Sequence, residues 1–211
     1  GEGGLHFRDG GPPVVVIPLA QQLFPGQGGK KTEVRFGFRT FSWDKNCFYV
    51  NGKSVKIYGF ANHMNYLGVG EAMSDSQREL HIRRLHEMGG NGFRTAHSPF
   101  GNAIYDYCDE YGIMVWNDFW LYVAFNDVVQ HDAFKENARD KVRRLRNHAS
   151  IAVWCGANET HPVADIDQAL RMIVMEEDGN DRLYKSCSNQ DAMSGSGWWK
   201  DLPPHHHFST S

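Results

Sequence analysis

No run of about 18 apolar residues occurs in this sequence, so no segment has the length of a membrane-spanning helix. Basic charge is not in excess either. The 22 Lys and Arg stand against 25 Asp and Glu, and a net charge of −3 offers no surface for nucleic acid or anionic lipid. A neutral polymer or a small molecule suits this composition better. Cysteine is sparse: Cys47, Cys108, Cys155 and Cys187 form no C-x-x-C pattern, which argues against a zinc knuckle or a dithiol redox pair. Cys108 and Cys155 stand beside apolar runs and are expected as buried free thiols. The amino terminus lacks the basic-then-apolar layout of a secretion signal. The chain also opens on Gly1 rather than Met, from which we expect a fragment or a processed chain.

Length bounds the fold. The 211 residues suffice for one domain, or one plus a piece of another, but fall short of the roughly 250 that a full eight-stranded βα barrel uses. Residues 1–30 are rich in Gly and Pro around one apolar run, Val14 to Leu19, expected as a strand of a preceding β domain. Glu33 to Phe41 alternates like a half-buried strand. Phe48 to Val50, Asn51-Gly52 and Val55 to Tyr58 then predict a hairpin with a type I′ turn, because Asn-Gly tolerates positive φ at both central residues.

Strands and helices alternate from there. Ser76 and Glu79 have capping-box spacing and open a helix carrying Leu80, Leu85 and Met88, stopped at Gly89-Gly90. A strand is expected at Gly92–Ala96, a helix from Ile104 to Tyr111 ended by Gly112, and a doubly buried strand from Ile113 to Trp116. Phe134, Ala138, Val142 and Leu145 fall on one face of a third helix, about Asp132 to Asn147. Ile151 to Trp154 is the next strand, Ile166, Leu170, Ile173 and Val174 mark a fourth helix, and Arg182 to Cys187 a fifth strand. Such alternation argues for an α/β parallel sheet, either open and doubly wound or a (β/α)8 barrel. Polar residues cluster at successive strand ends: Asn62-His63, His97, Asn117-Asp118 and Asn158-Glu159. That placement is what a barrel active site requires.

The sharpest segment is Arg146-Asn147-His148-Ala149-Ser150-Ile151-Ala152-Val153-Trp154-Cys155-Gly156-Ala157-Asn158-Glu159. An apolar strand ending in Asn-Glu sets a carboxyl at the sheet mouth beside an amide able to bond a sugar hydroxyl. A glycosidase needs such an acid to protonate its leaving oxygen. By itself, a Glu after a strand is more often a helix N-terminal charge or a solvated loop residue. Together with Cys108 to Trp116 and Phe93-Arg94-Thr95-Ala96-His97-Ser98-Pro99, however, the segment resembles glycoside hydrolase family 2, the β-galactosidase, β-glucuronidase and β-mannosidase family, from about Phe36 to about Cys187.

The resemblance implies a TIM barrel, here its first four to five βα units, preceded by the end of a β-sandwich. It places the tail of an immunoglobulin-like domain at 1–41 and the barrel at 42–211. It also implies retaining hydrolysis of β-glycosides, no cofactor, Glu159 as acid/base and Asn158 as the contact to the sugar 2-hydroxyl. Arg94 and His97 match the family's Arg-Thr-Ser-His-like stretch, with Ala96 where Ser is common; Arg94 serves either the site or an internal ion pair. Asn62 and His63 resemble the pocket residues of the galactosidase and glucuronidase branch, and a structural His is the alternative for His63. Trp116-Asn117-Asp118-Phe119-Trp120 and Trp154 to Glu159 resemble the mannosidase branch, so the sugar stays open. Asp118 and Trp120 either meet sugar or are a loop carboxylate and a core indole. Trp198 and Trp199 suit a subsite wall or a domain contact. His205 to His207 are weak evidence for a metal or a tag, and no metal site is expected.

A retaining mechanism needs a second carboxylate about 5 to 5.5 Å from the first. In the family it is a Glu on the seventh barrel strand, and no Glu follows Glu177 here. We therefore expect this chain to lack the nucleophile and to need the remainder of the barrel or another subunit. A non-catalytic carbohydrate-binding remnant is the other-class alternative. Pairing Asp118 with Glu159 as an inverting couple is the remaining enzyme reading.

Overall fold

A computed structural model describes residues 19–25, 31–44, 47–121, 130–179 and 182–189. The elements run β1 (Leu19–Pro25), β2 (Lys31–Gly37), β3 (Phe41–Trp43), β4 (Phe48–Val50), β5 (Lys53–Val55), β6 (Gly59–His63), α1 (Asp75–Glu87), β7 (Gly92–Ala96), α2 (Asn102–Tyr111), β8 (Met114–Asp118), α3 (His131–Leu145), β9 (Ile151–Ala157), α4 (Ala164–Asp178) and β10 (Leu183–Cys187). Expectations at Val14 to Pro18, Trp198, Trp199 and His205 to His207 lie outside the described residues.

Five strands form one parallel sheet in the order β10-β9-β8-β7-β6, each neighbour joined through a helix. This is the front of a TIM barrel. The helices bury their apolar stripes on one face of the sheet: Ile82 and Leu85 of α1, Ile104 and Cys108 of α2, Phe134, Ala138, Val142 and Leu145 of α3, and Ile166, Leu170, Ile173 and Val174 of α4. They pack on Phe93, Val115, Ile151 and Trp154. The 3.6-residue periodicity legible in α3 and α4 is therefore the packing face. Cys108 and Cys155 are buried free thiols, and burial raises both above the ordinary thiol range.

The opposite face is the inner wall of the barrel. Register sets Arg94 beside Trp116, Trp116 beside Val153 and Val153 beside Leu183, then Asp118 beside Cys155 and Cys155 beside Lys185. Gly59 pairs with Gly92 where β6 and β7 begin, and a Cβ at Gly59 would collide with the Gly92 carbonyl. Only glycine allows the two strands to start this close.

The small β3-β4-β5 sheet closes the other end of the wall. Its Phe41, Val50 and Val55 share a cluster with Met114, Ala149 and Val153, near the starts of β8 and β9 and so opposite the strand ends that carry Asn158 and Glu159. Asn51 and Gly52 adopt φ 51° and 74°, the two positive values that the expected turn requires.

Four expectations about local structure are corrected. The alternating stretch Glu33 to Phe41 is not one strand: β2 ends at Gly37 and β3 begins at Phe41. The second hairpin arm stops at Val55 rather than Tyr58. The capping box of α1 is Ser74 with Gln77, two residues ahead of the expected Ser76 and Glu79, and Met88 is the 72% exposed C-cap rather than a core residue.

Candidate active site at the strand ends

The carboxyl ends of β6 to β10 share one rim, because parallel strands in register finish together: His63 pairs with Ala96, Asp118 with Cys155, and Ala157 with Cys187. Asn158 and Glu159 follow β9 at this rim. Asn158 is 5% exposed and Glu159 half-buried.

Arg94 organises the site. Its Nε donates to Asp118 Oδ1 at 3.2 Å and Oδ2 at 3.1 Å, and its Nη2 donates to Asp118 Oδ2 at 2.7 Å. The same Nη2 reaches Asn158 Oδ1 at 2.7 Å. One rigid planar cation thus ties β7 to β8 and to the residue after β9. His97 Nδ1 lies 3.2 Å from Asp118 Oδ2, and the His63 and His97 rings meet edge to face with centroids 5.0 Å apart. The Asp118 amide N–H donates to Thr95 Oγ1 at 3.0 Å, fixing the turn out of β8.

Of the alternatives left open for Arg94, the internal ion pair is the one observed, and that pair stands at the rim. Asp118 is not a loop carboxylate. It is the last residue of β8, fully buried and engaged by Arg94 and His97. A general base must reach a water, so this burial speaks against an inverting couple of Asp118 with Glu159.

Asn62 does not join the network. Strand alternation puts it in register with Thr95, and Thr95 with Asn117. Asn117 faces α2, where it accepts from the Tyr105 hydroxyl, while Asn62 Nδ2 lies 3.0 Å from His81 Nδ1 on α1. Asn62 therefore belongs to the helix side of the sheet, which corrects its expected place in the pocket. Trp120 is not a core indole: it is 47% exposed two residues past Asp118.

Two strand-end residues have left-handed backbone, Trp120 at φ 63° and Glu159 at φ 58°. Ser188, just past β10, bears on the second. The Glu159 amide N–H donates to its Oγ at 2.9 Å. The sequence reading missed Ser188: β10 carries Lys185 and Ser186, so the signal that found the others, a polar residue directly after an apolar strand, does not single it out.

One further acidic group has ligand geometry. Asp106, Asp109 and His148 bring possible ligand atoms within 4.8 Å of one another. Asp109 already takes His148 Nδ1 at 2.8 Å on one oxygen and the Ser150 amide at 2.7 Å on the other, which staples α2 to the approach of β9.

This geometry can be set beside known proteins. A family model described as glycosyl hydrolases family 2, TIM barrel domain, matches residues 42–192. A putative beta-glucuronidase of Formosa agariphila is 33% identical over 135 residues, covering 63% of this chain and 16% of that protein. A mannosylglycoprotein endo-beta-mannosidase of Lilium longiflorum is 31% identical over 159 residues, covering 65% of this chain and likewise 16% of the relative. Among solved structures, a Parabacteroides merdae beta-glucuronidase superposes with a TM-score of 0.64 at 27% identity, over 75% of this chain and 22% of that one. The chain therefore spans well under two thirds of the relatives it matches. By the extent of the family match and the agreement of fold, it belongs to glycosyl hydrolase family 2 and carries part of the family's TIM-barrel domain.

Proposed function

We propose that this chain supplies the acid/base half of a retaining β-glycosidase site, with Glu159 as the proton carrier and Asn158 as the contact to the sugar 2-hydroxyl. The observation that carries the reading is the Asn158-Glu159 pair at the end of β9, with the Asn158 carboxamide held by Arg94 Nη2 at 2.7 Å. In such a site the Glu159 carboxyl gives its proton to the glycosidic oxygen as the bond from the anomeric carbon to that oxygen breaks. A second carboxylate bonds to the anomeric carbon on the opposite face. Glu159, now ionised, takes a proton from the water that releases the sugar.

The family resemblance assigns the second carboxylate to a Glu on a later barrel strand. Arg94, Asp118 and His97 act by holding the wall, and His63 and Trp120 are the side chains best placed to meet sugar. The resemblance also assigns residues 1–41 to a preceding immunoglobulin-like domain, a division compatible with the separate antiparallel pairing of β1 and β2. Relatives named as glucuronidase, galactosidase and mannosidase support a β-linked sugar without choosing among them.

The test is a panel of aryl β-glycosides, namely galactoside, glucuronide, glucoside and mannoside, offered to the natural gene product that contains this chain. Turnover of at least one is expected. Glu159→Ala should then lose about 10²- to 10⁴-fold on a poor leaving group, the usual worth of acid catalysis. It should form its glycosyl-enzyme from a dinitrophenyl glycoside, and azide should rescue it as the β-glycosyl azide. No turnover across the panel would favour the non-catalytic carbohydrate-binding reading. Turnover that Glu159→Ala leaves intact would remove Glu159 from the role.

A further inference from the structure

We propose that Ser188 is a positioning residue for this site, fixing both the backbone of Glu159 and the polarity of the Asn158 carboxamide; the inference rests on the roles proposed above for those two residues. Ser188 is fully buried. It engages three consecutive residues of the neighbouring strand end. Its amide N–H donates to the Ala157 carbonyl at 3.0 Å, its Oγ accepts the Glu159 amide at 2.9 Å, and its hydroxyl proton is directed at Asn158 Oδ1, 3.4 Å away.

The consequence for Asn158 follows from counting lone pairs. Its Oδ1 accepts from Arg94 Nη2 and from Ser188, which uses both acceptor sites of a carbonyl oxygen. The carboxamide cannot turn over without facing two donors with its own NH2. That NH2 group is thus the end presented to substrate, and the sugar hydroxyl beside it must accept. The consequence for Glu159 is conformational. An L-residue at φ 58° holds a disfavoured backbone shape, and a buried acceptor on its amide selects that shape over extended alternatives. Ser188 therefore sets where the carboxyl of Glu159 leaves the chain without touching substrate itself.

The experiment compares Ser188→Ala and Ser188→Thr in the natural gene product, with an aryl β-glycoside that the wild type turns over and its 2-deoxy counterpart. Ser188→Ala is expected to lower kcat for the parent glycoside by about 10- to 100-fold through misplacement of the reacting groups. Its preference for parent over 2-deoxy substrate should shrink by about tenfold, roughly the worth of one hydrogen bond. Ser188→Thr keeps the hydroxyl and should retain both quantities. If Ser188→Ala does not fold, Ser188→Cys, with its weak donor and acceptor, takes its place under the same expectation. An unchanged preference in the Ala variant, or a Thr variant as impaired as the Ala variant, overturns the proposal while leaving the glycosidase reading intact. A wild type without turnover on the panel overturns both.

Discussion

Glu159 combines a chemical duty with a backbone that L-residues avoid, and the two can be separated by substitution. At φ 58°, alanine bears the same Cβ strain as glutamate, whereas glycine does not. Glu159→Gly should therefore be more stable than Glu159→Ala by about 1 kcal/mol, read by urea denaturation, while the two share the same catalytic loss. Equal stabilities would mean that the strand end relaxes and stores no strain. The neighbouring Arg94–Asp118 pair shows the other side of residue-scale design. Both side chains are almost wholly withdrawn from solvent, and their geometry is bidentate. A buried pair of this kind contributes little net stability but is costly to break, by about 3–5 kcal/mol when one partner goes. Its value lies in fixing Asn158.

At the scale of elements, α3 and α4 are laced together by Glu177. Its carboxyl meets Arg139 at 2.6 Å, Arg143 at 2.9 Å and Arg146 at 3.3 Å. The Arg143 and Arg139 guanidiniums hold it at about 2, below the ordinary 4.5. The unfolded chain therefore takes up this proton first as pH falls. The stabilisation is fully present above about pH 4.5 and is lost progressively toward pH 2. Thermal melts across that window should show a steeper acid loss for wild type than for Glu177→Gln, with the difference shrinking at high salt. Parallel slopes would assign no role to the cluster.

Elements are also where sequence legibility divides. The stripe Phe134, Ala138, Val142 and Leu145 named α3 and its buried face together, because helix packing rewrites its period directly into the sequence. The start of α1 was ambiguous, since Ser74-Asp75-Ser76-Gln77 and Ser76-Gln77-Arg78-Glu79 both satisfy the capping pattern. The buried Met73 just ahead of Ser74 goes with the earlier frame, and burial is not written in the local sequence. At the rim, strand-end position brought out Asn158, Glu159, His97 and Asp118 as candidates, and only the longer resemblance gave Asn158 and Glu159 their expected roles. Asn62 was misplaced because strand alternation, not nearness to the strand end, decides which wall a side chain faces. Ser188 was overlooked because a serine has no pattern until its partners, 29 and 30 residues away, are known.

For the whole molecule, the sheet has two terminal strands among the described residues, β6 and β10, and Phe60 on β6 is 44% exposed. Unpaired strand edges beside apolar surface are templates for further pairing. The 211-residue chain by itself is expected to self-associate in sedimentation velocity runs, and Phe60→Lys should shift it toward monomer. A wild-type chain that sediments as a monomer at every concentration would show that neither edge is available.

The opposite end of the barrel wall has a consequence in time rather than in space. The β3-β4-β5 sheet rests on Ala149 and Val153, and Arg39 Nε donates to the Ala149 carbonyl at 3.1 Å across a separation of 110 residues. At a synthesis rate of about 5–20 residues per second, a ribosome needs roughly 5 to 20 seconds to deliver that partner. Through that interval the apolar face of the small sheet lacks Ala149 and Val153, and of this cluster's buried residues outside that sheet only Met114 is delivered earlier. A nascent chain stalled short of Ala149 would be a client for chaperones, and one stalled just beyond β9 would be released from them.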